Sequence, residues 1–163
     1  MRYTILALAS LAATTAFAAD LSRTDQLFVG DAARANLAEV RLGQLAVQKG
    51  TTPAIRNIGQ QMIDDHGKVG DKLQAIATRE GFTLPAKLSQ DQQATYDRLA
   101  ALNGKDFEAS YLEELKSSHQ QAISLFQNES QNGTDPQPRS FAKSTLPSLR
   151  HPPLMVSSAI NLL

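Results

Sequence analysis

Three ionisable residues of this sequence, Glu39, His66 and His119, lie on helical stripes that are otherwise apolar. Removing a lone carboxylate from water is costly unless a partner or a cation compensates for it. Imidazole and carboxylate groups are ligands that Fe, Zn and Mn accept. The sequence therefore predicts a divalent metal site with these three residues as ligands. Asp65, next to His66, is predicted as a ligand from the flank or as a hydrogen-bond partner of a ligand.

The positions of these residues along their helices are compatible with a single site. Glu39 lies about twelve residues before the first interhelical turn and His66 about fifteen after it, so at ~1.5 Å rise per residue their levels differ by only ~4–5 Å. His119 falls about fourteen residues into its predicted helix, close to the middle of the bundle. Tyr111 and Glu114 are predicted beside the same site.

The sequence is also compatible with other interpretations of these three residues. A buried Glu can pair with a His without any ion, and a single His on an apolar face is usually only hydrogen-bonded. A carboxylate-bridged di-iron centre is disfavoured because such sites use Glu-x-x-His on two helices. Here Ile63 and Lys116 stand three residues before the two His. Met62, one turn before His66, leaves copper as a minor option.

The composition excludes several classes of function. The 163 residues contain 16 Lys+Arg, 16 Asp+Glu and no Cys, so disulfides, thiolate zinc sites and thiol nucleophiles are all excluded. The positive charges are balanced and dispersed, which argues against nucleic-acid binding. Neither a nucleophile-elbow serine nor a Gly-rich phosphate loop is present. These absences argue against a hydrolase. If the predicted metal is iron, oxygen or peroxide chemistry becomes possible, but no residue demands it.

The first nineteen residues are typical of a secretory signal peptide. Arg2 supplies the positive charge, an apolar stretch runs from Thr4 to Thr15, and Ala16-Phe17-Ala18 gives a small-x-small cleavage pattern. This predicts a signal peptide over 1–19 and a periplasmic or secreted protein, with an uncleaved anchor as the alternative. Beyond it, no stretch is long and apolar enough to span a membrane, so no membrane span is expected in the mature chain.

The apolar periodicity of residues 20–150 is helical throughout. Long helices are predicted from about Ser22 to Lys49, from Pro53 up to Gly81, and from Lys105 to Asn132. The long connection between the second and third contains a short helix, at about 89–102. A fourth long helix is predicted to start at Asp135-Pro136 and to be interrupted by Pro147.

Helices joined by short, long and short connections predict an all-α fold, a ferritin-like four-helix bundle with a long crossover connection and an irregular or truncated fourth helix. An irregular all-helical domain is the alternative. Residues 151–163, which include Pro152-Pro153, are predicted to form an atypical C-terminal tail because consecutive prolines cannot continue the helix.

Several motifs, taken in their order and spacing, carry a resemblance to a known family. They are Phe28-Val29, Asn36-Leu37-Ala38-Glu39, Asp64-Asp65-His66, Leu84-Pro85, Tyr111 with His119, and Leu146-Pro147-Ser148-Leu149. This pattern, over about residues 25–149, resembles the exported bacterial ferritin-like proteins known as domain of unknown function 4142. The resemblance implies a signal peptide and a ferritin-like bundle, but no established reaction.

The resemblance also matches recurring Glu, Asp-His and His positions of that family to Glu39, Asp65, His66 and His119. The family normally continues its fourth helix with a His about three residues after the Leu-Pro-x-Leu segment. Here His151 follows Leu149 by two residues and is itself followed by two prolines.

Two functions are compatible with these features. The first is an exported helical bundle that binds a metal ion through its core Glu and His residues, in metal handling or stress protection. The second is a non-catalytic periplasmic bundle that binds a protein or cell-envelope partner without metal, its buried polar residues serving only to fix the register of the helices.

Overall fold

The structure, a computed structural model, describes residues 21–150 and contains five helices in that range. They are α1 (Arg23–Lys49), α2 (Pro53–Arg79), α3 (Gln90–Ala101), α4 (Gly104–Asn132) and α5 (Pro136–Leu149). Residues 21–150 form no strand, so the all-α prediction is confirmed. The predicted signal peptide, 1–19, and the predicted tail, 151–163, lie outside the described residues. None of the described helices is long and apolar enough to cross a membrane.

The connections place the helices in a bundle of four, with α3 carried by the crossover. Short links join α1 to α2 and α4 to α5, while residues 80–103 connect α2 to α4. The predicted short, long, short order is therefore observed. At the end of α2, Gly81 adopts φ +72°, and the N–H of Phe82 donates to the carbonyl of Ala77 at 3.0 Å. The left-handed backbone conformation of Gly81 ends the helix and turns the chain into the crossover.

The fourth helix of the bundle, α5, differs from the prediction at one point. Pro147 lies inside α5 instead of interrupting it, and the helix continues to Leu149. A proline so near the C-terminus removes only one backbone hydrogen bond of the last turn, which this short helix tolerates. The prediction that Pro147 interrupts the helix was therefore wrong.

Two apolar clusters fill the two halves of the bundle. In the half nearest the α1–α2 link, α1, α2 and α4 pack together with the crossover helix, whose Leu99 is fully buried. In the other half, α5 takes the place of α3, and Phe28, Phe126 and Phe141 pack edge-on or tilted against one another. Since α5 has only 14 residues against 29 in α4, it covers one half and α3 covers the other.

Buried carboxylates tie both short links to neighbouring helices. Glu108 of α4 accepts hydrogen bonds from the N–H of Thr51 at 2.7 Å and of Thr52 at 2.8 Å, at the start of α2. Asp25 of α1 accepts from the hydroxyl of Thr134 at 2.6 Å and the N–H of Asp135 at 3.0 Å, at the start of α5. Anionic groups satisfy the free N–H groups of a helix start. These contacts fix the register of α1, α2 and α4 at both ends.

A third buried acid lies beside the second tie. Glu129 of α4 is 2% exposed, and its Oε1 has no hydrogen-bond partner among residues 21–150. Burial and the neighbouring carboxyl groups of Asp25 and Asp135 raise the pKa of Glu129 to about 7, although Arg139 opposes them. Burial acts to raise the pKa of Asp25, but the hydrogen bonds that it accepts outweigh burial and lower it.

We expect Glu129→Gln to change the pH dependence of stability. A carboxyl whose pKa is raised by folding keeps a proton that the unfolded chain has lost, so its contribution is present below pH 4.5 and is lost as pH rises through about 7. The amide that this substitution introduces has nearly the same shape and cannot ionise. The variant should therefore gain stability over the wild type on going from pH 5 to pH 8, on the order of 2 kcal/mol. Urea unfolding at both pH values measures this.

Glu113→Gln, which removes a charge from the exposed face of the same helix, is the control and should leave the pH dependence unchanged. If the free energies of unfolding of Glu129→Gln and the wild type differ by the same amount from pH 5 to pH 8, the raised pKa of Glu129 is contradicted.

Two glycines let α1 and α2 approach closely. A Cβ atom on Gly59 would lie 2.7 Å from the carbonyl oxygen of Gly43 and 2.9 Å from the Cβ of Ala46. A Cβ on Gly43 would lie 2.8 Å from the carbonyl oxygen of Gly59. Because the obstructing atoms belong mainly to backbone, the helices would have to separate. By contrast, a Cβ on Gly67 of α2 would meet nothing within 4 Å.

Gly59→Ala should therefore destabilise the protein by about 1–3 kcal/mol, the usual cost of overpacking. Gly67→Ala in the same helix is the matched control and should stabilise by about 0.5–1 kcal/mol, because alanine loses less backbone entropy. Thermal unfolding of both variants provides the measurement. A similar rise in Tm for both would show that α1 and α2 are not in such close contact.

Candidate functional site

Glu39, His66 and His119 meet in the centre of the bundle, one from each of α1, α2 and α4. Their exposed fractions are 4%, 6% and 1%. The Nδ1 atom of His119 lies 3.6 Å from Oε1 of Glu39, and the two imidazole rings are 5.5 Å apart at an interplanar angle of 85°. On each helix the polar residue separates the two apolar clusters. The three side chains thus form a polar layer across the core.

The ring orientation of His119 is fixed by its own helix. Nδ1 lies 2.9 Å from the carbonyl oxygen of Leu115, which can only accept, so Nδ1 carries the proton and donates it. The lone pair is then on Nε2, which is buried and has no hydrogen-bond partner among residues 21–150. Burial lowers the pKa of His119, although the Leu115 carbonyl opposes this, so the ring is neutral at pH 7.

His66 is oriented in the same way by a residue on α1. Its Nδ1 lies 3.0 Å from Oδ1 of Asn36, which makes Nδ1 the donor and leaves the lone pair on Nε2. Burial, and then the proximity of His119, lower the pKa of His66 to about 4, while Asp65 acts in the opposite direction. Both imidazoles are therefore neutral at pH 7 and both present an unprotonated Nε2.

Glu39 carries the acidic group of the layer. Burial raises its pKa to about 7; the nearby Ser118 hydroxyl opposes burial, and the charge of Glu114 adds a smaller increase. Tyr111 of α4 is fully buried and stacks on Phe107, with ring centroids 5.9 Å apart. Burial, and then the charge of Glu39, raise the pKa of Tyr111, so its phenol stays protonated.

Three polar atoms of this region lack a partner among the described residues: Oε2 of Glu39, Nε2 of His119 and the hydroxyl oxygen of Tyr111. Buried polar atoms of folded proteins are nearly always satisfied. A carboxylate oxygen and an imidazole lone pair left over in one core are also ligand atoms for divalent cations. The layer therefore contains donor atoms of the types that a divalent cation accepts.

The other two predicted residues lie outside this layer. Asp65 is 44% exposed and its Oδ1 accepts from Nζ of Lys68 at 3.3 Å, so the structure does not bring it to Glu39 and His119. Glu114, 25% exposed, pairs with Arg98 of α3 at 3.2 Å. Within residues 21–150, no group of three or more His, Asp or Glu side chains is already arranged to hold an ion.

Sequence reasoning missed Asn36, which orients His66. Its position three residues before Glu39 puts both side chains on one face of α1, and this spacing was an available signal. Sequence reasoning also missed Asp25, Glu108 and Glu129. The spacing of a buried acid near an interhelical link is the same as that of an acid on a solvent-exposed helix face.

These features define an all-α bundle whose core is divided by a buried Glu–His–His layer. The sequence pattern of the family described as "Domain of unknown function (DUF4142)" matches residues 10–157, and the chain belongs to that family. The resemblance stated from the motifs is thus confirmed. No curated protein matches the chain.

Solved structures of another family share the fold. The crystal structure of a DUF305 fragment from Deinococcus radiodurans has a TM-score of 0.80 at 13% identity, covering 89% of this chain and 100% of that one. The crystal structure of "putative secreted protein DUF305" from Streptomyces coelicolor has a TM-score of 0.71 at 12% identity, covering 83% of this chain and 91% of that one. At such identities the similarity shows the fold alone.

In metal-free protein, we expect nitrogen NMR to find His66 and His119 with the proton on Nδ1, and His66 to titrate near pH 4. The background variant His151→Gln leaves only these two rings to assign. Asn36→Ala should convert part of His66 to the Nε2–H form, because its Nδ1 loses the acceptor. Asn57→Ala, at an exposed position of α2, should change nothing. Titration of His66 near pH 6.5 would contradict this assignment.

Proposed function

We propose that this protein is an exported helical bundle that binds one divalent metal ion, Fe, Zn or Mn, in its central polar layer. Glu39, His66 and His119 are the proposed ligands, and Tyr111 lies beside them. The bound ion supplies a positive charge that stabilises the Glu39 carboxylate. The role that follows is metal handling, and no reaction is assigned to the site.

The observation that carries the proposal is the pair of oriented imidazoles. Metal-ligating histidines usually donate their other ring N–H to a carbonyl or carboxylate, which fixes the tautomer. His119 makes this hydrogen bond to the Leu115 carbonyl and His66 makes it to the Asn36 amide oxygen. Both rings are neutral at pH 7 and require no deprotonation before binding.

The unpartnered Oε2 of Glu39 and Nε2 of His119 add a second argument. A polar layer that served only to fix helix register would gain most by satisfying every atom. Leaving an imidazole lone pair and a carboxylate oxygen without partners is costly unless a further group completes the site. Small torsional changes of Glu39 and the two imidazoles must accompany binding, because no three-ligand group is already arranged among the described residues.

Asp65 is proposed to act on the ion through charge. It is close enough to raise the pKa of His66, and its carboxylate lies at the surface with Lys68. A negative charge next to a ligand strengthens cation binding modestly, since solvent screens it.

The surface offers little support for partner binding as the main function. Among residues 21–150, Leu27 is the single large hydrophobic side chain that is exposed, at 54%. Docking sites for proteins or membranes usually present a continuous apolar patch. The buried polar layer is by comparison the more unusual feature of the molecule.

Export is proposed from the signal-like segment of residues 1–19. The similarity to the Streptomyces coelicolor protein, described as putative secreted, agrees with this location.

Metal-free wild-type protein should bind one equivalent of Zn²⁺ or Mn²⁺ in calorimetric titrations, and Co²⁺ should give a visible ligand-field spectrum. Glu39→Gln, His66→Gln and His119→Gln should each weaken binding by more than the roughly 10–100-fold that outer-shell changes cost. Asp65→Asn should weaken it only a few-fold. Asp64→Asn, at the adjacent exposed position, is the matched control and should bind like the wild type.

Circular dichroism of each metal-free variant verifies that it is folded. The proposal fails if the wild type binds less than about one ion per chain after complete metal removal and reloading, or if the three ligand variants bind as tightly as Asp64→Asn.

A further inference from the structure

We propose that the metal ion reaches the buried layer through the groove between α1, α3 and α4, along Asp31, Asp91 and Glu114, with the crossover helix α3 as one wall. This groove is called the acidic groove below. The inference rests on the proposed metal site and adds the route by which that site exchanges its ion.

The acidic groove leads to a ligand of the proposed site. It encloses about 620 Å³, and Glu39 is one of its lining residues. Glu39 is 4% exposed and its Oε2 has no partner among residues 21–150. Ser118, whose hydroxyl donates to the Leu115 carbonyl at 3.1 Å, also lines the groove. A small displacement at this floor would therefore connect the groove with the carboxylate.

A second groove reaches the layer from the opposite side. It runs between α2 and the end of α5, encloses about 510 Å³, and includes His66 in its lining. It is called the α2 groove. The polar layer thus lies between two grooves, with Glu39 facing one and His66 facing the other, and an ion has two candidate routes.

The charges of the lining residues favour the acidic groove. Besides Glu39, it carries three carboxylates, Asp31, Asp91 and Glu114, against one cation, Arg34. The described lining of the α2 groove carries one carboxylate, Asp65, against Lys68 and Lys72. Clefts lined by one sign of charge concentrate ions of the opposite sign. A divalent cation is therefore attracted to the first groove and repelled by the second.

Glu114 is the carboxylate that links this surface to the site. Glu114 and Glu39 line the same groove, one on α4 and the other on α1. Glu114 also pairs with Arg98 of α3 at 3.2 Å. This partly exposed pair bridges the crossover helix and α4, and ion pairs in contact with solvent are weak enough to open frequently. An approaching cation competes with Arg98 for Glu114.

The route is tested by blocking each groove with a thiol label. Because the chain has no Cys, Thr95→Cys on the α3 wall of the acidic groove and Gln61→Cys in the α2 groove each give a single labelling site. Each variant is modified with the same bulky maleimide. Stopped-flow absorbance then follows Co²⁺ uptake, and addition of a chelator follows its release.

The labelled Thr95→Cys protein should take up and release Co²⁺ at least about tenfold more slowly than the labelled Gln61→Cys protein, at an equal Kd, because a blocked path slows both directions alike. If Co²⁺ exchange is slower in the labelled Gln61→Cys protein, or equally fast in both, the proposed entry through the acidic groove is wrong. The proposed metal site is not affected by that result. Absence of Co²⁺ binding in the unlabelled wild type overturns both proposals.

A charge variant gives an independent result. Glu114→Gln should slow Co²⁺ uptake several-fold at low ionic strength, and the difference should shrink in high salt. Arg98→Gln should accelerate uptake, since it frees Glu114. Lys72→Gln in the α2 groove is the control and should leave uptake unchanged, and faster uptake in Lys72→Gln would contradict the route.

Discussion

The central constraint on this molecule is the placement of a carboxyl group and two imidazoles in the dry middle of a helical bundle. Glu39, His66 and His119 come from three different helices. On each helix the polar residue lies between the two apolar clusters of the core. Polar groups in such surroundings are tolerated only at the one helix register that lets them meet. The layer therefore limits how α1, α2 and α4 can slide past one another.

The ends of the bundle enforce the same register by different means. Glu108 and Asp25 accept hydrogen bonds from the starts of α2 and α5, and the glycine contact between α1 and α2 sets their separation. Within this register the Leu115 carbonyl and the Asn36 side chain hold Nδ1 of His119 and of His66, so Nε2 is the unprotonated atom of each ring.

Much of the fold was predictable because its signals are local. Ser22 and Thr52 accept the hydrogen bonds that helix capping predicts, and the glycine at position 81 ends α2 as expected. Matching the depths of Glu39, His66 and His119 by residue count also located the polar layer correctly, since the rise of an α-helix is constant. The prediction was less accurate for Pro147, because a helix near its end can lose a hydrogen bond without ending.

The sequence by itself determined which residues form helices and which polar side chains lie on the buried stripes, because capping and periodicity act over a few residues. The tertiary structure decided what each buried acid contacts. It placed Asp65 at the surface with Lys68, oriented His66 through Asn36, and brought Asp25 to the start of α5. These outcomes depend on the rotation and separation of helices distant in sequence, and no local pattern encodes those quantities.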